Sequence, residues 1–232
     1  MAAALPSTSY DDRRGRLEIY FDRTASKTWE RLTSDAPVSG IRATVRAGRD
    51  RMRETLLSWL PADMTGLRLL DAGCGTGALA VEAARRGADV VAIDVAGSLV
   101  NVARDRAPAG LRIDWRVGDM LDPALGRFDH VVAMDSLIHY RAPDIVGVVR
   151  ALTGSTGGSL LFTFAPSTRP LVVMHAVGKL FPRSDRAPAI EPVRERLLRT
   201  LIADAMPAAR IGRGMRVASG FYTSQAMEVL PG

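Results

Sequence analysis

Apolar runs of four to seven residues alternate with helical stretches through the middle of the chain. Leu67 to Leu70, Ala88 to Ile93, Leu111 to Val117, Phe128 to Met134 and Gly158 to Phe164 read as five strands. Between them, Thr76 to Arg86, with Ala80, Ala83 and Ala84, and Pro143 to Leu152 read as helices. Upstream, two segments read as a helical arm. Leu17 to Leu32 carries Leu17, Tyr20, Phe21, Trp29 and Leu32 at helical or near-helical spacing, and Ile41 to Leu60 carries Val45, Met52, Leu56, Leu57 and Leu60 as its stripe. After the fifth strand the apolar segment Thr168 to Phe181 interrupts the alternation. Glu191 to Ala205 then reads as a helix, and Arg210 to Ala218 with Phe221 to Val229 as a hairpin turning at Ser219-Gly220. This pattern divides the chain into an arm over 1–62 and an α/β core over 63–232, with about 167–190 as a lid or substrate wall.

The first strand runs into Leu69-Leu-Asp-Ala-Gly-Cys-Gly-Thr-Gly77, where Gly73, Gly75 and Gly77 let backbone press against a ligand without a Cβ. Alternate glycines after an acid suit the S-adenosylmethionine loop of class I methyltransferases better than the G-x-G-x-x-G loop of nicotinamide enzymes. Asp94 ends the second strand about 20 residues later, where an acid hydrogen-bonds ribose hydroxyls. The third strand runs into Gly118-Asp119-Met120, which places an acceptor for the adenine amino group beside a residue that packs on the ring. Any one of these acids alone would be an ordinary solvated strand end. Presented together at the carboxyl edge of one sheet, they mark a cofactor site. The expected cofactor residues are Asp71, Gly73, Cys74, Gly75, Gly77, Asp94, Val95, Asp119, Met120 and Asp135. The expected fold is α/β, a Rossmann-like class I methyltransferase with a seven-stranded, mostly parallel sheet, a helical arm and a lid insertion.

A chain of 232 residues, 47% hydrophobic, can bury one substantial core and is too short for two full-sized domains. Cys74 is the sole cysteine, so no internal disulfide forms, and its place inside the glycine loop favours packing over nucleophilic chemistry. The N-terminus lacks a continuous apolar run and no segment approaches a membrane span, which predicts a cytoplasmic protein with at most peripheral membrane contact. The net charge of +6 points to an anionic partner: nucleic acid, anionic lipid or an acidic small molecule. Residues 135–140, Asp-Ser-Leu-Ile-His-Tyr, occupy the strand end nearest the transferred methyl and lack the Asn/Asp-Pro-Pro-Tyr-like motif of base aminomethyltransferases, which argues against nucleic acid. His139 there can orient an oxygen acceptor or take its proton, although an isolated histidine more often satisfies backbone.

Over nearly its whole length the chain resembles the magnesium-protoporphyrin IX methyltransferases of bacteriochlorophyll and chlorophyll synthesis, particularly the form in purple phototrophic bacteria. The resemblance rests on Tyr20-Phe-Asp-Arg-Thr24 with Trp29, Asp71-Ala-Gly-Cys-Gly-Thr-Gly77, Ser136-Leu-Ile-His-Tyr140 and Phe164-Ala-Pro166 followed by Leu180-Phe-Pro182. The last strand, Gly220-Phe-Tyr-Thr-Ser224, departs from the Phe-Tyr-Phe-Ser-like run expected there. The resemblance implies methyl transfer from S-adenosylmethionine to a propionate carboxylate of Mg-protoporphyrin IX, giving the monomethyl ester and S-adenosylhomocysteine. It implies catalytic roles for Tyr20 and His139 and no protein-bound metal, the magnesium belonging to the porphyrin. Tyr140 and His175 are expected against the substrate and Arg23 and Lys179 as cations for its propionates, with Arg183 and the arginines of the 210–216 strand as further candidates. Docking on the large porphyrin-binding subunit of magnesium chelatase fits so greasy a substrate. A quinone-like acceptor, or a module that binds adenosylmethionine without transfer, shares the loop and remains the alternative.

Overall fold

A computed structural model of the chain describes residues 8–22, 40–167 and 189–232. Two helices come first, α1 (Thr8–Tyr20) and α2 (Gly40–Ser58). The core then runs β1 (Arg68–Ala72), α3 (Ala78–Arg85), β2 (Asp89–Asp94), α4 (Gly97–Arg106), β3 (Ile113–Val117) and β4 (Phe128–Ala133). It continues through α5 (Ala142–Gly154), β5 (Thr156–Phe164), α6 (Glu195–Ala205), β6 (Arg210–Ser219) and β7 (Tyr222–Leu230). Among the described residues the strands form one seven-stranded sheet in the order β3-β2-β1-β4-β5-β7-β6. β1 to β5 are parallel, and β7 runs antiparallel to both β5 and β6. The strand order reverses between β1 and β4. That switch point opens a crevice beyond their carboxyl ends, where α/β sheets bind ligands.

The apolar strands are unbroken because both faces of the sheet are covered. Successive side chains point to opposite faces, so Leu69, Val90, Val132 and Leu161 enter one core while Leu70, Val91, Val131 and Leu160 enter the other. The first core packs against Met52, Leu56 and Leu57 of α2 and the small Ala80 and Ala83 of α3. The second takes Tyr10 and Leu17 of α1, Ile145 and Val149 of α5, and Leu198 and Ile202 of α6.

The largest displacements from the apolar pattern are at the starts of two helices. The arm helix starts at Thr8 rather than Leu17, across the run Asp11-Asp-Arg-Arg14 that hides it from a hydrophobic reading. It is held by polar contacts: Ser9 donates to Asp144 at 2.9 Å and Arg13 to the His139 carbonyl at 2.6 Å. Helix α6 starts at Glu195 rather than Glu191 because residues 191–193 are extended, Val193 N donating to Ala165 O at 2.8 Å and Ser167 N to Val193 O at 2.9 Å. Trp29 and most of the expected 167–190 lid lie outside the described residues.

Gly48 sets the distance between α2 and the sheet. A Cβ there would stand 2.5 Å from Tyr222 Cδ1 and 2.8 Å from its Cβ and Cγ, and that ring is tied down by hydrogen bonds from its hydroxyl to Asp135. Gly48→Ala gains about 1 kcal/mol of helix propensity. Overpacking costs roughly 1–3 kcal/mol and wins where the neighbour cannot swing away. The expected result is a net loss of about 1 kcal/mol in urea denaturation. A midpoint at or above wild type would show that the ring yields freely.

Candidate active site

A cavity of about 840 Å³, counting its open mouth, lies at the switch point. Its floor is Gly73 and Gly75 after β1, Asp94 and Val95 after β2, and Gly118 and Met120 after β3. The segment after β4 supplies Met134, Asp135, Ser136, Ile138, His139 and Tyr140. Tyr10, Leu17 and Phe21 face it from α1 and the turn that follows, and Arg49 from α2.

The glycine loop is held by the end of β2. Asp94 Oδ2 accepts from Gly75 N and Oδ1 from Ala96 N, both at 2.9 Å, while Gly73 N and Cys74 N donate to Ile93 O at 2.8 and 3.0 Å. The glycines serve different ends. A Cβ on Gly73 would strike Ser136 and one on Gly77 would strike Trp115, so both are packing requirements. Gly75, at φ 53°, has nothing within 4 Å of such a Cβ, so its open side is the cavity itself. Burial, with the charges of Asp71 and Asp94, pushes the Cys74 thiol up and keeps it protonated, as a packing residue requires.

Asp71 lies beneath the loop at 2% exposure. It accepts from the backbone N–H of Ala80 in the first turn of α3, satisfying a helix-start donor, but its Oδ2 has no hydrogen-bond partner. Burial pushes its pKa up to about 7. Between an ordinary carboxyl value and 7 the unfolded chain is ionised while the folded chain keeps the proton, so stability falls as pH rises through that window. Asp71→Asn should therefore flatten the decline in urea stability between pH 5 and about 8, the wild type losing a few kcal/mol more than the variant. Parallel pH profiles would show that Asp71 is ionised throughout.

Beyond β3, Asp119 is engaged by the arm. It accepts from Tyr10 Oη at 2.7 Å and from Leu121 N at 2.9 Å, and pairs with Arg14 Nε at 3.5 Å, while the Tyr10 ring stacks on Tyr140 at 5.2 Å. Arg13 ties the His139 carbonyl to Glu191, which it meets at 3.0 Å. His139 is buried, with Nδ1 at 3.4 Å from the Ala189 carbonyl and its ring 6.1 Å from Phe21 in an edge arrangement. A carbonyl only accepts, so that contact puts the proton of a neutral ring on Nδ1 and makes Nε2 the acceptor nitrogen. Asp135 carries an ion pair with Arg49 at 2.9 Å and hydrogen bonds from Tyr222.

Residues 133–231 match the family "Magnesium-protoporphyrin IX methyltransferase C-terminus", and residues 69–155 match "Methyltransferase domain". A magnesium-protoporphyrin O-methyltransferase from Rhodobacter capsulatus is 51% identical over 230 residues, covering 98% of this chain and 100% of that protein. The chain belongs to the magnesium-protoporphyrin O-methyltransferase family. A Synechocystis protein of the same name is 28% identical, over 94% of this chain and 96% of its own. A crystal structure of magnesium protoporphyrin IX methyltransferase from Synechocystis with bound SAH superimposes at a TM-score of 0.83 and 27% identity, covering 94% of this chain and 99% of that one.

Within this magnesium-protoporphyrin O-methyltransferase fold, Gly73, Gly75, Asp94, Val95, Met120 and Asp135 line the cavity, as do His139 and Tyr140. Asp71, Cys74, Gly77 and Asp119 stand outside its lining: the first three support the loop, and Asp119 is turned to Tyr10 and Arg14. Tyr20 is not on the wall either. Its ring packs edge-on at 5.1 Å against Phe21, which is. Arg23, His175, Lys179 and Arg183 lie outside the described residues. The wall residues that sequence reasoning passed over include Tyr10, Arg49 and Leu99. Arg49 had a readable signal: it stands four residues after Val45 and three before Met52, on the border of the apolar stripe of α2. Among the described residues no cluster of three acids, histidines or cysteines could hold a metal, and no helix is long and apolar enough to cross a membrane.

Proposed function

We propose that this protein transfers a methyl group from S-adenosylmethionine to a propionate carboxylate of Mg-protoporphyrin IX, forming the monomethyl ester and S-adenosylhomocysteine in bacteriochlorophyll synthesis. The observation that carries this reading is the 51% identity, over essentially both full lengths, with the Rhodobacter capsulatus magnesium-protoporphyrin O-methyltransferase. The cavity suits the cofactor. Gly75 leaves open space where a ligand's backbone-hugging portion belongs, Asp94 offers a carboxylate beside it, and Met120 gives an apolar face beyond β3.

When bound, the cofactor supplies a methyl group activated on a sulfonium. This chain's residues then have three tasks. The first is alignment: a propionate with an ordinary carboxyl pKa near 4.3 is ionised at neutral pH and needs placing about 3–3.5 Å from the methyl more than it needs a base. The second is exclusion of water, since the reacting charges cancel in the transition state; Leu17, Phe21, Met134 and Ile138 supply apolar wall for this. The third belongs to His139, whose Nε2 accepts a proton if the closed pocket keeps the propionate protonated, and whose doubly protonated ring orients the carboxylate otherwise. In this reading residues 1–62 cap the core, Tyr20 acts on the site through Phe21, which it packs against, and Tyr140, His175, Arg23 and Lys179 receive the porphyrin. Hand-over from the large subunit of magnesium chelatase, with peripheral membrane contact, follows from the substrate's insolubility.

Incubation of the purified protein with labelled S-adenosylmethionine tests the reading. Ester formation on Mg-protoporphyrin IX, and none on a catechol-type quinol, supports it. Transfer to the quinol alone, or cofactor binding without transfer to either, overturns it.

A further inference from the structure

Between β4 and α5 the chain makes one short 3₁₀ turn, Leu137–His139, and so short a turn leaves its last carbonyls to be met from outside. Ile138 O receives Glu191 N at 2.9 Å, and His139 O receives Arg13 Nη1 of α1 at 2.6 Å. The two donors are themselves joined, because Arg13 Nη2 meets Glu191 Oε1 at 3.0 Å. The bonds therefore close a ring: from the His139 carbonyl to Arg13, to the Glu191 side chain, to the Glu191 N–H, and through Ile138 back to His139. The strap that carries Glu191 is anchored in turn. Val193 N donates to Ala165 O at 2.8 Å and Ser167 N to Val193 O at 2.9 Å, which pins residues 191–193 beside the chain leaving β5. The imidazole is framed from the same two sides. Its Nδ1 lies 3.4 Å from Ala189 O on the strap, and Phe21, just past α1, packs edge-on against the ring at 6.1 Å.

The residue type matters at the centre of this ring. Arginine reaches a carbonyl and a carboxylate at once through a planar fork of donors, a fixed geometry that the point charge of a lysine does not reproduce. With side chains 20% and 32% exposed, the Arg13–Glu191 pair is screened by water and adds little to folding stability. Its effect is geometric, because a displacement of about 1 Å at a reacting group is enough to slow catalysis steeply. Helix α1 also divides its contacts. Tyr10 and Arg14 reach Asp119 beyond β3, whereas Arg13 reaches the turn beyond β4 and is absent from the cavity wall. Resting on the function reading above, we propose that Arg13 is a positioning residue for methyl transfer, locking the Leu137–His139 turn to the 189–193 strap so that His139 presents its ring to the acceptor in one orientation. Arg13 then acts through His139 and not on cofactor or substrate.

Single-turnover methylation of Mg-protoporphyrin IX is measured for wild type, Arg13→Met, Arg13→Lys, Glu191→Ala, His139→Ala and the double variant Arg13→Met/His139→Ala. The porphyrin KM, the S-adenosylhomocysteine affinity by calorimetry and the urea midpoint are recorded for each. Arg13→Met should slow transfer roughly tenfold or more, with the other three quantities near wild type. Arg13→Lys should restore part of the rate, and Glu191→Ala, which leaves the bond from Arg13 to the His139 carbonyl, should lose less than Arg13→Met. The double variant decides. Without the imidazole there is no ring to aim, so Arg13→Met should cost nothing further in the His139→Ala background. A full, multiplicative loss in that background overturns the proposal, and so does a raised KM with an unchanged rate, which would assign Arg13 to the porphyrin. If Arg13→Met does not fold, the same cycle is run with Arg13→Lys, whose smaller loss must likewise vanish without His139. Wild-type rates in Arg13→Met or in His139→Ala overturn the proposal and leave the function reading standing. A wild-type protein that methylates no porphyrin removes the function reading itself, and the proposal with it.

Discussion

His139→Ala is expected to lower the single-turnover rate of methyl transfer about 100-fold or more, with S-adenosylhomocysteine affinity near wild type. The histidine is buried on the cavity wall, its Nδ1 faces a backbone carbonyl, and its own carbonyl is pinned by Arg13, so the ring is aimed rather than loosely packed. An interaction made mainly in the transition state lowers kcat and kcat/KM together, whereas a plain porphyrin contact raises KM alone. The pH dependence then separates two roles. An ionisation in the wild-type rate profile that vanishes in the alanine variant assigns proton acceptance, and a profile unchanged in shape assigns orientation. Wild-type rates with saturating porphyrin would leave His139 a structural residue that satisfies Ala189.

The site was legible in the sequence wherever local pattern and chemistry coincide. An unbroken apolar run must be a doubly covered strand, an acid and glycines at its end must be a ligand loop, and so Gly73, Gly75 and Asp94 could be placed from spacing alone. Legibility failed where a residue's partner is remote. Asp135 was expected at the site, but its partners Arg49 and Tyr222 lie 86 and 87 residues away and meet it only because α2 and β7 pack beside the end of β4. Nothing in the local sequence of Gly48 says that its missing Cβ lets α2 approach Tyr222. Helix α1 escaped for a related reason: its anchors are Ser9, Tyr10 and Arg13, each bonded to a residue more than 100 positions away, while its hydrophobic pattern is faint. The same remoteness separates Asp119 from its sequence reading. The expected adenine acceptor is in contact with an arm residue that no periodicity marks.

Asp94→Ala is a poor test of the cofactor loop, because that carboxylate also holds Gly75 N and Ala96 N and its loss would disorganise the loop before any ribose contact could be scored. Gly75→Val isolates the question. At φ 53° a branched residue carries strain of about 1–2 kcal/mol, and with nothing within 4 Å its side chain projects into the cavity. Gly66 is the matching control: it too has positive φ, 79°, and open space around a Cβ, but it lies before the opposite end of β1, away from the cavity. Gly66→Val and Gly75→Val should therefore lose similar stability in urea, while Gly75→Val alone loses affinity for S-adenosylhomocysteine, by roughly tenfold or more. Backbone strain is common to the pair, so the difference between them reports ligand contact. Equal affinities in the two folded variants would mean that the open side of Gly75 faces solvent, and that the cofactor lies elsewhere on the sheet edge.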